Sequence, residues 1–316
     1  MKELTQAVID SLRDKKIGKE YVANSGYLKA FPIDDKNYCP IGKEKSDYRE
    51  FSFIDGGQAI LFESPSIAAG FLKIGQVSYD GTQRISKSKD EFQILVKRDG
   101  ENFLVRTFPA TQFDGLVITS ESIMDSNVMP QTIISLIRRC MEFELASQLK
   151  NPVLDGALEA KSELEIKYIS KLSNALAFSK TCSFSLNTGE SIIRRLSRKE
   201  GSWYYYPVFE DSRIYFVKLH DKSRHVFRLD FSSDIIDQGR GEIEDRISSL
   251  KSLSNDPIFL GYPYGLVDVD QYVRVSDEEK EYMKIKLFSL LGKEYWKLSS
   301  EENSMNAHSI LDNIRF

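Results

Sequence analysis

Two short stretches of the sequence place a carboxylate directly after an apolar run and directly before glycine. Residues 51–57 read FSFIDGG, which puts Asp55 before two glycines, and residues 152–158 read PVLDGAL, which puts Asp155 before Gly156. An unpaired carboxylate at a buried strand end is costly unless it binds a cation or loses its charge. Two such aspartates can share a metal ion, and the glycine after each lets a ligand approach the backbone. Because Asp-Gly is also a common hairpin signal, a simple turn at Asp55 is the alternative interpretation.

The segment between the two motifs, residues 126–150, has a helical period, begins at a Ser-Asn start signal and supplies a third acid. At about 100° per residue, Glu144 falls within the apolar stripe that includes Ile137 and Met141. Glu142 falls on the opposite side of the helix, which we expect to be solvated. Glu144 is therefore the predicted third carboxylate of the site. The alternative is that Glu144 reaches solvent or pairs with a nearby arginine.

Three carboxylates from a strand, a helix and a strand make an all-oxygen site that suits Mg²⁺ or Mn²⁺ rather than zinc. Phosphodiester hydrolysis uses such sites, because divalent cations activate water and stabilise the leaving oxygen. Neither a Walker-type phosphate loop nor a GxSxG elbow is present in the sequence. Histidine chemistry has few candidates, since the chain has only His220, His225 and His308.

The composition limits the class of protein. The chain has 316 residues, is 41% hydrophobic and carries 43 basic against 47 acidic side chains, a net charge of −4. This charge excludes a wholly basic nucleic-acid coat but leaves room for a local basic groove. The three cysteines form no CxxC pair. The N-terminal pattern is a charged amphipathic helix, and no apolar run approaches the roughly 20 residues of a membrane span. We therefore expect a cytoplasmic protein with no membrane partner.

The chain begins with a predicted helix at 3–24, followed by a polar, turn-rich stretch and strands at 50–55, 68–79, 92–98, 102–108 and 115–119. After the helix at 126–150, the pattern predicts a strand at 152–155 and a helix at 160–180. A short basic helix and three aromatic-rich strands come next, and helices at 240–253 and 276–291 complete the sequence of elements. This order predicts a mixed α/β sheet with helices on its faces.

The blocks FIDGG at 53–57, VLDGAL at 153–158 with a helical acid before it, and GYPYGLVDVDQYVRVS at 261–276 resemble the signature blocks of the NurA nuclease family. The resemblance spans residues 50–290. It implies a ribonuclease H-like fold, a homodimer and dependence on Mn²⁺ or Mg²⁺. It also implies DNA end trimming with 5′ to 3′ polarity, together with a HerA-like hexameric helicase.

The resemblance also implies roles for individual residues. Asp55 and Asp155 match the two metal-binding aspartates of the family, and Glu144 is the match for its helical glutamate, with Glu142 as the rival. Tyr262 matches the tyrosine of the third block. Where the family has a histidine eight residues later, this chain has Asp270, which can equally bind a hard metal ion. The predicted ligands are thus Asp55, Glu144, Asp155 and Asp270, and Tyr262 is the remaining catalytic candidate. Asp268 is expected to be a solvated helix residue.

The resemblance predicts a nuclease domain over 50–291, preceded by an N-terminal helix and connecting segment, 1–49, and followed by a tail, 292–316. The basic run RRLSRK at 194–199 is either a phosphate-contacting surface or an ordinary solvated helix face. The aromatic run WYYYP at 203–207 is either a base-stacking platform or a core strand, and strand propensity favours the core. Two other functions remain open: a non-catalytic scaffold or binding subunit, and a metal phosphatase acting on small esters.

Overall fold

The protein is built around one large mixed sheet. The structure, a computed structural model, describes residues 1–12, 18–24, 29–42, 50–124, 128–210 and 213–294. Within these ranges, eleven strands form the sheet: β1 (Tyr38–Pro40), β2 (Glu50–Glu63), β3 (Ile67–Asp80), β4 (Gln83–Asp99), β5 (Asn102–Phe108), β6 (Val117–Thr119), β7 (Pro152–Asp155), β8 (Leu176–Ser179), β9 (Trp203–Tyr205), β10 (Ile214–Lys218) and β11 (Phe227–Phe231).

The centre of the sheet is parallel and its two wings are antiparallel. The strand order is β1-β9-β10-β11-β8-β7-β2-β3-β4-β5-β6. The strands β2, β7 and β8 run parallel to one another, with Ile54 paired with Leu154 and Asp155 paired with Phe178. A helix-containing segment precedes each of the strands β7 and β8, as parallel neighbours require.

Helices cover both faces of this sheet. The described helices are α1 (Lys2–Leu12), α2 (Pro130–Ala146), α3 (Glu163–Ile169), α4 (Ile192–Ser197), α5 (Ser233–Asp237), α6 (Arg240–Ser252), α7 (Tyr264–Val273) and α8 (Asp277–Leu291). One core packs α2 and α3 against Ile54 and Leu154, and the other packs α6 and α7 against Phe53 and Val153. Since successive side chains of a strand face opposite ways, the alternation in β2 and β7 feeds both cores.

The wings carry the rest of the chain. A third core lies under β1, β9 and β10 and contains Val22, Trp203 and Tyr205. The strand β1, from before residue 50, forms the edge of the sheet beside β9. The domain boundary at 49/50 stays a prediction. No helix in the part of the chain that the structure describes is long and apolar enough to cross a membrane.

The predicted strands are present but several bounds differ. The strand β2 does not end at Asp55; it continues through both glycines to Glu63, so the Asp-Gly turn interpretation is wrong. The helix expected over 160–180 ends at Ile169, and the chain turns at Asn174, which has φ +54°, before β8 begins. The N-terminal helix was predicted to reach residue 24, but residues 18–24 are not helical. The Ser126 and Asn127 start signal lies outside the described residues.

Candidate active site

Asp55 and Asp155 lie side by side where the parallel strands β2 and β7 meet. Ile54 is paired with Leu154, so the two aspartates that follow are neighbours in the same register. Adjacent strands are about 4.8 Å apart, which brings the two carboxylates within electrostatic range. The strand β7 ends at Asp155 while β2 continues, so the pairing of the two strands stops at the two acids.

Glycine is required after Asp55 because other elements approach the strand closely there. A Cβ at Gly56 would collide with the carboxylate of Glu142, and a Cβ at Gly57 would collide with the carbonyl of Val273 at the end of α7. Gly156 follows Asp155 with φ +122°, a conformation that other residues rarely adopt. The glycines were predicted to let a ligand approach the backbone, but in the structure Glu142 and Val273 of the protein itself approach it.

Glu142, and not Glu144, is the helical acid whose charge acts on the two aspartates. Glu142 is only 4% exposed, and its carboxylate accepts a hydrogen bond from Arg138, which also donates to the carbonyl of Gly56 at 2.6 Å. The prediction that Glu142 is solvated is wrong. The helix α2 is buried over more than one stripe, and the notch above Gly56 lets a carboxylate enter between helix and strand.

Glu144 lies elsewhere, so its choice over Glu142 is corrected. Its carboxylate accepts from Lys171 at 3.5 Å and from Gln148 at 3.5 Å. It lines a separate cavity of about 280 Å³ together with Phe113 and Met141. The alternative interpretation, in which Glu144 pairs with a nearby arginine, is closer to the structure, although the partner is Lys171.

The third sequence block brings Tyr262 and Asp270 to the same place. Tyr262 is 1% exposed, and its ring packs against Phe178 of β8 and against Phe227. Its hydroxyl is buried and close to the carboxylate of Asp155, but it makes no hydrogen bond of regular geometry in the part of the chain that the structure describes. Burial, followed by the charges of Asp155 and Asp55 and by the approach of the hydroxyl to Asp155, raises the pKa of Tyr262 above its ordinary value. A buried hydroxyl in this position can donate to a polar ligand beside the two carboxylates.

Asp270 lies on α7 and accepts a hydrogen bond from Arg274 at 2.7 Å, one turn later. Its charge acts on both Tyr262 and Lys180, so Asp270 lies within electrostatic range of the residues beside Asp155. Gly265 lets α7 pack tightly on β2, because a Cβ there would collide with the ring of Phe53. The helix that carries Asp270 is thereby held against the strand that carries Asp55.

Protein cations already pair with these carboxylates. Lys180 donates to Asp155 at 2.6 Å, Arg138 donates to Glu142, and Arg274 donates to Asp270. Among the residues that the structure describes, no group of three or more His, Cys, Asp or Glu side chains is arranged to hold a metal ion. The acids are therefore close together, but their oxygens do not converge on one point.

Among the described residues, Asp55 is the acid of this centre that accepts no hydrogen bond from a cationic side chain, and its pKa is raised. Burial, helped by the charges of Glu142 and Asp155, raises the pKa of Asp55 to about 7. Burial likewise raises the pKa of Glu142, although Arg138 and Arg139 oppose the shift. The pKa of Lys180 is lowered by burial but raised more by its hydrogen bond to Asp155 and by three nearby carboxylates, so the net shift is upward. The centre has an excess of negative charge that an added cation would relieve.

The donor set fits a hard divalent ion in its chemistry. Asp55, Asp155, Glu142 and Asp270 offer carboxylate oxygens, which are the ligands that Mg²⁺ and Mn²⁺ prefer. A cation would relieve the charge that raises the pKa of Asp55, and the buried hydroxyl of Tyr262 could donate to a polar ligand beside it. The charge of such an ion would oppose that of the Lys180 ammonium on Asp155.

Of two further charged residues that matter here, Lys180 belongs to no sequence motif, and Asp268 lies within the third block in an environment that the sequence did not predict. Lys180 follows β8 and could have been found only from its place next to β7. Asp268 was expected to be solvated, but it is 8% exposed and accepts from Tyr79, Arg84 and Lys87. That prediction is wrong, because strands distant in sequence fold over α7. Asp268 anchors α7 to β3 and β4.

The two candidate DNA surfaces have structural roles. In the basic run, Arg194 and Arg198 pair with Glu190, and Arg195 pairs with Glu20. The aromatic run is a core strand, as strand propensity favours, because Trp203, Tyr204 and Tyr205 are at most 4% exposed.

Comparison with solved structures finds NurA nucleases. The NurA nuclease from Sulfolobus solfataricus is similar with a TM-score of 0.53 and 15% identity, covering 83% of this chain and 90% of that chain. A second NurA crystal structure has a TM-score of 0.50 and 10% identity, covering 82% and 91%. Endonuclease V from Ciona intestinalis, in complex with DNA containing an inosine, has a TM-score of 0.42 and 11% identity, covering 79% and 92%. No protein-family model and no curated protein sequence matches the chain.

The likeness to NurA confirms the predicted fold. The chain has a NurA-like fold of the ribonuclease H-like class, a mixed sheet flanked by helices.

Proposed function

We propose that this protein is a divalent-metal-dependent DNA nuclease of the NurA type. The observation that carries the proposal is the meeting of Asp55, Asp155 and Glu142 beside the buried hydroxyl of Tyr262, in a NurA-like fold. Mn²⁺ or Mg²⁺ is the cofactor that this donor set favours, and when bound it would activate water and stabilise the leaving oxygen of a phosphodiester.

Each side chain of the centre then has a task of its own. Asp55 and Asp155 provide carboxylates from two rigid strands, and Asp270 provides one from α7. Glu142 provides the acid on the other side of β2, oriented by Arg138. The hydroxyl of Tyr262 donates to a phosphate oxygen or to a ligand carboxylate such as that of Asp155, since it lies beside Asp155 without a hydrogen bond of regular geometry. Rigid elements are the usual support for such a constellation.

The finer functional assignments follow the sequence resemblance and are part of the same proposal. The substrate is a DNA end, trimmed in the 5′ to 3′ direction, and the partner is a HerA-like hexameric helicase that feeds the strand. The protein acts as a homodimer in the cytoplasm. A net charge of −4 requires that the DNA path be a focused groove rather than the whole surface.

The choice between Glu142 and Glu144 gives a sharp test. Asp55→Asn and Glu142→Gln should each lower the cleavage of an end-labelled single-stranded oligonucleotide in Mn²⁺ by at least about 100-fold, a typical loss when a key charged group is removed. Glu144→Gln is the matched control on the same helix and should leave cleavage unchanged, because Glu144 contacts Lys171 and not the centre. Normal cleavage by Asp55→Asn would refute the proposal.

A non-catalytic scaffold is the second candidate. The observation that favours it is the pairing of Asp155, Glu142 and Asp270 with protein cations. A scaffold should give no heat of Mn²⁺ binding that depends on Asp55 in calorimetry, whereas the nuclease should. A phosphatase is separated from a nuclease by comparing activity on single-stranded DNA and on a simple phosphate ester.

A further inference from the structure

Lys180 is the cation that most directly occupies the carboxylate centre. It lies one residue beyond β8, and its ammonium donates to Oδ2 of Asp155 at 2.6 Å. The same ammonium is 5.2 Å from the centre of the Tyr262 ring. The charges of Asp270 and Asp55 also act on it. Lys180 thus contacts Asp155 and lies within electrostatic range of Asp55 and Asp270, and these three acids are predicted metal ligands.

Lys180 differs from Arg138 in how firmly it is held. Arg138 donates to the carbonyl of Gly56, to Gln58 and to Glu142, so its guanidinium is fixed at several points. The hydrogen bond to Asp155 is the one that Lys180 makes among the described residues. The side chain of Lys180 is 40% exposed, and a lysine has a flexible four-carbon stem. Its ammonium can therefore leave Asp155 without disturbing the fold, while Arg138 cannot leave Glu142 so easily.

We propose that Lys180 is an internal competitor for the divalent cation at Asp155 and that, once displaced, its ammonium binds a phosphate of the DNA. The inference rests on the proposed function, because it requires that a metal ion bind at this centre. Competition follows from charge. The ammonium on Oδ2 of Asp155 lies close to any divalent ion that the same carboxylate binds, and the two cations repel each other.

The displaced ammonium stays near the reaction. Its stem begins beside β7 and the ring of Tyr262, so its reach is confined to the surroundings of the carboxylates. A phosphate group is the natural partner of an ammonium that has lost its carboxylate. Lys180 would thus neutralise Asp155 before the ion binds and contact the substrate afterwards.

The test compares Lys180→Gln with Lys171→Gln. Lys171 is a matched control because it also pairs with one acid, Glu144, and its side chain is 45% exposed against 40% for Lys180. Titration calorimetry with Mn²⁺ alone, at pH 8, should show that Lys180→Gln binds the ion about tenfold more tightly than wild type, since a partly exposed charge-assisted bond no longer competes. Lys171→Gln should bind it as wild type does. Lys180→Arg keeps the charge and should stay close to wild type.

The second readout has the opposite sign. At saturating Mn²⁺, the kcat of Lys180→Gln on a short single-stranded DNA should fall about 100-fold, because a donor to the phosphate has been removed. Tighter metal binding together with slower turnover is a combination that a simple structural support would not produce. Equal or weaker Mn²⁺ binding by Lys180→Gln, with normal binding by wild type, would overturn the inference and leave the proposed function intact. If neither protein binds Mn²⁺, both the inference and the proposed function fail.

Discussion

Asp55→Asn should make the metal-free protein more stable at alkaline pH, although it should abolish activity. Burial and the charges of Glu142 and Asp155 raise the pKa of Asp55 from 3.8 to about 7 in the folded protein. The folded state therefore holds its proton more tightly than the unfolded state. Stability is lost as the pH rises from about 4 to about 7, and above pH 7 the loss is complete. Asparagine has nearly the same shape and carries no charge, so it escapes this loss.

The size of the effect follows from the pKa change. One pH unit corresponds to about 1.36 kcal/mol, so the loss above pH 7 is at most roughly 4 kcal/mol. Side-chain relaxation and water entry reduce it, and we expect about 2–4 kcal/mol. For a chain of this length, 1 kcal/mol shifts Tm by about 1.5 °C, so the expected gain in Tm is about 3–6 °C at pH 8. At pH 4 the two proteins should melt together.

The assay is thermal unfolding in a chelating buffer at pH 4 and pH 8, with Asp99→Asn as the control. Asp99 is exposed at the end of β4, so its substitution should have no comparable effect. Mn²⁺ should then raise the Tm of wild type and leave that of Asp55→Asn nearly unchanged, because an ion that binds only the folded state stabilises it. An Asp55→Asn variant that melts at or below the wild-type temperature at pH 8 would refute the reasoning.

Four further substitutions, one of them a control, probe the frame around the centre. Gly265→Ala should destabilise the protein by about 2–4 kcal/mol in thermal unfolding, because its methyl group would displace the ring of Phe53. Its control is Gly241→Ala on α6, whose methyl group meets no atom within 4 Å and should stabilise the protein by about 0.5–1 kcal/mol. Tyr262→Phe removes a hydroxyl that makes no regular hydrogen bond, so the Tm of the variant should equal or exceed that of wild type while its cleavage rate falls. A large loss of Tm would show that the Tyr262 hydroxyl has a stabilising partner in the folded protein. Asp268→Ala should lower the free energy of unfolding by about 2–3 kcal/mol at pH 7, since it leaves the partners from β3 and β4 unpaired. The effect of burial on the pKa of Asp268 is outweighed by hydrogen bonds, so its pKa is lowered and its contribution to stability is present above pH 4. Unfolding at pH 7 and below pH 4 will check this, because the difference between variant and wild type should disappear in acid.

Local patterns were sufficient for much of the sheet. The alternation of apolar residues predicted β3 and β5 almost to their ends, and the apolar run before Asp155 predicted β7. The two Asp-Gly motifs indicated a shared site because a strand directs the residue at its end, and β2 and β7 proved to be parallel neighbours. Each of these features is determined by a short stretch of consecutive residues, so the local sequence pattern was sufficient to predict it.

The errors have a common cause in contacts between segments distant in the sequence. A helical wheel assigned Glu142 to solvent because it assumes one buried stripe, whereas Gly56 on another strand opens a second buried notch. Asp268 was assigned to solvent because nothing in α7 shows that Tyr79 and Arg84 lie over it. Lys180 was missed because its importance comes only from the pairing of β8 with β7.

The placement of Arg138, Lys180 and Arg274 opposite three of the four acids has a consequence for how the protein is made. Nascent chains need no metal to assemble this region, because each of those three acids finds a neutralising neighbour from the polypeptide itself. Under the proposed function, the supply of divalent metal in the cell would then govern when the folded protein cleaves DNA.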